Sequence, residues 1–211
     1  MSGENRSLPL PVAVTGSKAD CLTEIFRDEV NLVVWDRRLP DECSGFARTF
    51  AREAGVFERF VGIEANDSLE QILPAWALAL PGAGAWLADV QQAVEMYRCL
   101  FEPAAVGVRL HVLTETMCPR FHTDRVPARL LVTYAGRGTE WLPEQLVTRA
   151  DGPGPLPEQV VSAPDIQVMP TGAVSLLKGE AWIGNEGLGL VHRSPAPGDS
   201  PRLVLGLDWL S

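Results

Sequence analysis

The feature that most constrains this chain is a change of texture at Ala105. Before it, apolar residues recur at helical spacing. After it, short apolar and β-branched runs are cut apart by turn residues. Val106 to Leu113, Ala128 to Tyr134, Gln167 to Leu177, Gly187 to His192 and Arg202 to Trp209 read as strands. Between them lie Ala135-Gly136-Arg137-Gly138, Asp151-Gly152-Pro153-Gly154-Pro155, Pro170-Thr171-Gly172 and a Pro/Gly-rich stretch over 194–199. Many short strands punctuated in this way build a sandwich or a barrel. The expected class is therefore α+β, with an all-β second half carried on helices from the first.

In the first half, Leu22, Ile25 and Phe26 predict a short helix from Lys18 to about Glu29, and Val30–Trp35 predicts a strand. Pro40-Asp41-Glu42 opens a second helix, its acids favoured near a helix N-terminus, with Phe46, Phe50 and Ala51 as its buried stripe and Gly55 as its stop. Two further helical pieces fall between 66 and 101. The second, from about Trp86 to Phe101, buries Leu87, Val90, Ala93, Val94, Tyr97 and Leu100. At 211 residues the chain suits one large domain better than two. The expected organisation is a flexible tail over 1–12 and a single domain over 13–211. Within it, 13–104 is a mostly helical support region with one early strand, and 105–211 is the β core. The Pro/Gly-rich 143–165 stretch is either a binding loop or disordered.

Composition excludes some functions. The net charge of −9, with no basic run, argues against nucleic acid as a partner. The most apolar run, Ile72 to Trp86, is broken by Pro74 and Pro81 and is too short to span a bilayer, so no membrane partner is expected. The opening Met-Ser-Gly-Glu-Asn-Arg-Ser is unlike a signal peptide, so the expectation is a cytoplasmic protein whose four cysteines are reduced thiols.

Chemistry concentrates at His122-Thr123-Asp124. In an extended segment, residues i and i+2 point to one side, so an imidazole and a carboxylate face one point. His192, at the end of a strand-like run, supplies a third donor. Two histidines and one carboxylate leave open positions on an octahedral iron. Arg202 opens the last strand, where Arg202, Val204 and Gly206 share one face and Leu203, Leu205, Leu207 and Trp209 share the other. The second face would pack on helices, leaving the guanidinium inside, where it needs an anion and can grip a carboxylate with two nitrogens. Arg125 and Arg193 flank the ligands and are candidates for contact with an anionic substrate, and Trp141 is a candidate pocket wall or a core residue. Cys118, four residues before His122, leaves an alternative open: a closed zinc site and a binding protein without oxidative chemistry. His111 reads as a strand residue with at most a supporting role.

His122-x-Asp124, His192 and Arg202 ten residues later resemble the iron(II)/2-oxoglutarate-dependent oxygenases over roughly residues 105–210. Tyr134-Ala135-Gly136-Arg137-Gly138-Thr139-Glu140-Trp141-Leu142 is similar to the Gly-rich turn and strand of their prolyl-hydroxylase branch. The resemblance implies a double-stranded β-helix, or jelly roll of the cupin kind. It also implies iron(II) on His122, Asp124 and His192, and 2-oxoglutarate held by Arg202, with an unknown small molecule or protein as substrate. Many members carry Ser or Thr two residues after that Arg, where this chain has Val204. The polar partner is then expected from Tyr134 or Thr133. The whole chain also resembles a bacterial family whose genes often neighbour zinc-homeostasis genes, which implies a role in metal physiology and keeps zinc(II) as the alternative metal.

Overall fold

The computed structural model describes residues 10–150 and 155–210. Among the described residues ten strands follow one another: β1 (Val12–Gly16), β2 (Val30–Trp35), β3 (Phe57–Ile63), β4 (Ala105–Leu113), β5 (Ala128–Ala135), β6 (Glu140–Trp141), β7 (Gln167–Val168), β8 (Val174–Lys178), β9 (His192–Arg193) and β10 (Arg202–Leu210). The helices are α1 (Asp41–Ala54), the single turn α2 (Ala75–Leu78) and α3 (Ala83–Phe101). Seven strands form a large sheet in the order β1-β2-β8-β5-β10-β4-β3, antiparallel except for β1 and β2. A small sheet, β7-β6-β9, faces it. The architecture is the double-stranded β-helix expected, with helices packed on the outside of the large sheet.

Alternation along the three central strands separates structure from chemistry. Val108, Leu110 and Val112 of β4, Leu130 and Val132 of β5, and Leu203, Leu205 and Leu207 of β10 are buried against the helices. Phe46 and Phe50 of α1 and Trp86, Val90 and Tyr97 of α3 meet them there. Each such side chain contributes about 1.5–3 kcal/mol by leaving water, and the Tyr97 hydroxyl donates to the Ala128 carbonyl at 2.9 Å. The opposite parity on the same strands carries Arg109, His111, Arg129, Thr133, Arg202 and Asp208, of which Arg109, His111, Arg129 and Arg202 line one cavity. A separate apolar cluster (Leu32, Val34, Met169, Leu177 and Leu190) closes the far end of that space.

Several expectations need correction. The support region holds three strands, not one: β1 and β3 were missed, and each is an outer edge of the large sheet. An edge strand has one unpaired side and tolerates charge, which erases the apolar pattern; β3 exposes Glu58, Arg59 and Phe60. The tail expected over 1–12 ends sooner, since Val12 already pairs with Val30, while residues 1–9 lie outside the described residues. The first predicted helix is a tighter 3-10 run, Ala19–Phe26. The run from Gly187 to His192 pairs as a strand only at its end, because Gly187 turns the backbone with φ 75°. Within 143–165 the chain makes two 3-10 turns, Glu144–Leu146 and Ala163–Asp165, and residues 151–154 lie outside the described ones.

Candidate metal centre

His122 and His192 are backbone neighbours. Each donates its amide to the other's carbonyl at 3.0 Å, an antiparallel bridge that joins residues seventy apart in sequence. Their ring centroids lie 4.6 Å apart. Each imidazole also places Nδ1 at 3.0 Å from the carbonyl two residues before it, Arg120 for His122 and Leu190 for His192. A carbonyl can only accept, so Nδ1 carries a proton, and in the neutral ring this tautomer makes Nε2 the atom that can bind a metal. Both Nε2 atoms turn toward Asp124, at 3.9 Å from Oδ1 for His122 and 3.5 Å from Oδ2 for His192. One donor atom from each of the three residues lies within 4.8 Å of the others. Burial holds His192 below its ordinary pKa, against the pull of Asp124, which keeps it neutral and ready to ligate.

The three donors form one wall of a cavity of about 190 Å3. Arg202 stands on the opposite sheet, 8% exposed. Its Nε donates to the Arg137 carbonyl at 2.9 Å, and Nη2 reaches Thr139 Oγ1 at 2.5 Å and Thr133 Oγ1 at 3.3 Å. These acceptors are neutral, and no carboxylate among the described residues pairs with it. Burial without a counter-charge pulls its pKa down to about 10. A buried cation in that condition is a seat for an anion. Because each threonine hydroxyl accepts from the guanidinium, its own proton is free for the same anion.

The remaining candidates separate. Tyr134 faces away from the cavity: parity puts it on the helix side, where its hydroxyl donates to Asp89 Oδ2 at 2.7 Å, and Arg37 grips the same carboxylate with two nitrogens at 2.7 Å. Its burial beside Asp89 raises the phenol well above its ordinary range. Thr133, one residue earlier, holds the inward position. Cys118 lines the cavity, but its sulfur is outside the set of donors that lie within 4.8 Å of one another. Arg193 is engaged elsewhere, donating to Glu140 at 2.7 Å and lying 4.3 Å over the Phe121 ring, and Trp141 packs into the apolar cluster between the sheets. Neither lines the cavity. Arg125 is exposed in a separate outer groove of about 750 Å3 that His122 also borders. His111 does face the cavity, and burial lowers its pKa.

Sequence reading missed Asp208, Arg129 and Thr139. Asp208 was findable, as it occupies the next place in the series Arg202, Val204, Gly206. It is 4% exposed and takes Arg109 Nε at 2.9 Å and Arg129 Nε at 2.7 Å. Arg129 Nη1 reaches on to Asp124 Oδ2 at 2.8 Å.

Fold and site together define a double-stranded β-helix protein with a His-x-Asp…His centre at one wall of its internal cavity. Within that class, the chain belongs to the family described as protein of unknown function (DUF1826), whose model matches residues 16–208. Solved structures share the fold. A dioxygenase for auxin oxidation from rice is 13% identical, with TM-score 0.53, covering 96% of this chain and 83% of that one. A full-length Neurospora crassa protein, solved in complex with alpha-KG, is 8% identical, with TM-score 0.51, covering 93% and 84%. No curated protein sequence matches the chain. The association with zinc-homeostasis genes finds no support in these comparisons. Among the described residues, no helix is long and apolar enough to cross a membrane.

Proposed function

We propose that this protein is an iron(II)- and 2-oxoglutarate-dependent oxygenase of the hydroxylase type. The observation that carries the reading is a buried arginine without a carboxylate, Arg202, across one small cavity from three convergent metal donors. Two imidazoles and a carboxylate suit iron(II) and leave three positions free. Arg202 would hold the distal carboxylate of 2-oxoglutarate, with the Thr133 and Thr139 hydroxyls donating beside it. They supply from neighbouring segments the polar group that Val204 lacks. Iron and 2-oxoglutarate, when bound, supply dioxygen activation coupled to oxidative decarboxylation, with succinate and carbon dioxide formed and a substrate C–H bond oxidised. The protein's part is to fix the donors, anchor the cosubstrate and keep the cavity dry. Arg125, at the outer groove beside His122, is the flanking arginine we assign to substrate contact. A fold neighbour solved with alpha-KG is consistent with this cosubstrate.

Zinc would also accept these three donors, but a zinc-holding protein gives buried Arg202 no purpose, and the Cys118 sulfur lies outside the donor set. The test is an anaerobic titration with iron(II) and then 2-oxoglutarate, followed by exposure to air. A visible metal-to-ligand charge-transfer band and succinate formation are expected. Absence of both overturns the oxygenase reading.

A further inference from the structure

The Arg129 guanidinium holds two carboxylates at once. Its Nε and Nη2 donate to Asp208 Oδ1 and Oδ2 at 2.7 and 2.9 Å, and its Nη1 donates to Asp124 Oδ2 at 2.8 Å. Arg129 and Asp208 lie directly opposite on β5 and β10, so the backbone register itself delivers the pair. Asp208 is held from its other side by Arg109. Burial opposes the charge on Arg129, but Asp208 and Asp124 more than offset it and keep its pKa above the ordinary value.

We infer that Arg129, braced by Asp208, is the positioning residue that sets how Asp124 meets a metal ion. A carboxylate can present one oxygen or both. Here Oδ2 accepts a charge-assisted hydrogen bond from Arg129, which draws charge from that oxygen and favours Oδ1 as the stronger donor. A chelating Asp124 would take one of the three free positions that a bidentate cosubstrate and dioxygen need. Arg129 thus keeps a position open by competing for the oxygen that would fill it. Asp208 fixes the angle of the fork, because a guanidinium gripped on its Nε/Nη2 edge can only swing Nη1 by breaking two bonds. The inference rests on the metal reading of the site but not on any oxygen chemistry.

Cobalt(II) titration of the metal-free protein, followed by visible absorption, tests it. Arg129→Gln and Asp208→Asn should each weaken cobalt(II) binding by about 10- to 100-fold, the usual effect of losing a partner behind a ligand. Each should also change the visible band shape as Asp124 turns to chelate. Arg109→Gln removes a contact to Asp208 while leaving the Arg129 fork in place, and should weaken cobalt(II) binding less than either Arg129→Gln or Asp208→Asn. Arg129→Lys, which keeps the charge but not the fork, should recover part of the affinity. Near-ultraviolet circular dichroism establishes folding, and if Arg129→Gln fails to fold, the isosteric Asp208→Asn carries the test. Folded Arg129→Gln or Asp208→Asn protein with unchanged affinity and spectrum overturns the inference. Unmodified protein that takes up no cobalt(II) overturns the metal reading and this inference with it. Protein that binds cobalt(II) but, reloaded with iron(II) and exposed to air, never consumes 2-oxoglutarate overturns the oxygenase reading alone.

Discussion

Replacing Arg202 with Met should separate stability from function. The side chain is buried and its partners are neutral, and its pKa falls well below the ordinary arginine range, to about 10. That depression loads the charged form with a burden of about 3 kcal/mol. With the folded pKa depressed, the burden is present in full below about pH 10 and is relieved only as pH rises from there toward the ordinary arginine range. It therefore weighs on the cosubstrate-free protein at neutral pH. Against its removal stand three lost hydrogen bonds, to Arg137, Thr133 and Thr139, each worth about 1.5 kcal/mol net at the low end for a charged donor. The burden offsets most of that loss, so Arg202→Met should lower the unfolding free energy by only about 1–2 kcal/mol. A buried arginine paired to a carboxylate would instead cost about 3–5 kcal/mol on removal. Urea unfolding of the metal-free proteins measures this difference. Adding metal and 2-oxoglutarate at a hundred times the dissociation constant should stabilise the unmodified protein by about 2.7 kcal/mol, and the variant should lose most of that gain. A loss above about 3 kcal/mol in the free variant, or an undiminished gain with 2-oxoglutarate, would refute the anion-seat argument.

Other sites give sharper contrasts. Cys118→Ala should leave metal content unchanged by elemental analysis, because the sulfur stands outside the donor set. Tyr134→Phe should cost about 1.5–3 kcal/mol in denaturant unfolding, since the bond it loses is to a buried carboxylate, while metal affinity holds. Gly179→Ala would put a methyl group 2.1 Å from the Val126 carbonyl oxygen and 2.7 Å from that of Asp124. It should cost about 1–3 kcal/mol as overpacking and also weaken metal binding, by moving the backbone that carries the ligand.

Much of the site was legible because it obeys short rules. Spacing along an extended chain paired His122 with Asp124, and alternation along β10 placed Arg202 opposite the apolar face made by Leu203, Leu205 and Leu207. What escaped did so for identifiable reasons. Tyr134 and Thr133 are adjacent, so one must point to each face, and sequence alone does not say which. Arg129 and Arg109 read as ordinary strand arginines, since the carboxylate that organises them arrives about eighty to a hundred residues later. Edge strand β3 mixes Glu58 and Arg59 into its apolar residues, and β1 is a five-residue run directly after the Leu8-Pro9-Leu10-Pro11 stretch, so neither stood out as the central strands did. Arg193 looked available because it follows a ligand, yet Glu140 on the paired strand neutralises it.

The bridge between His122 and His192 has a wider consequence. The spacing of two donors is set by a pair of main-chain hydrogen bonds, which no single side-chain replacement deletes. Asp124 has no such anchor in its carboxylate; its aim is set by a guanidinium that answers to a third strand. The centre therefore has a stiff half and an adjustable half. Variation that retunes metal preference or open coordination, whether natural or designed, has its cheapest route through Arg129 and Asp208, leaving the histidine pair as a fixed reference frame.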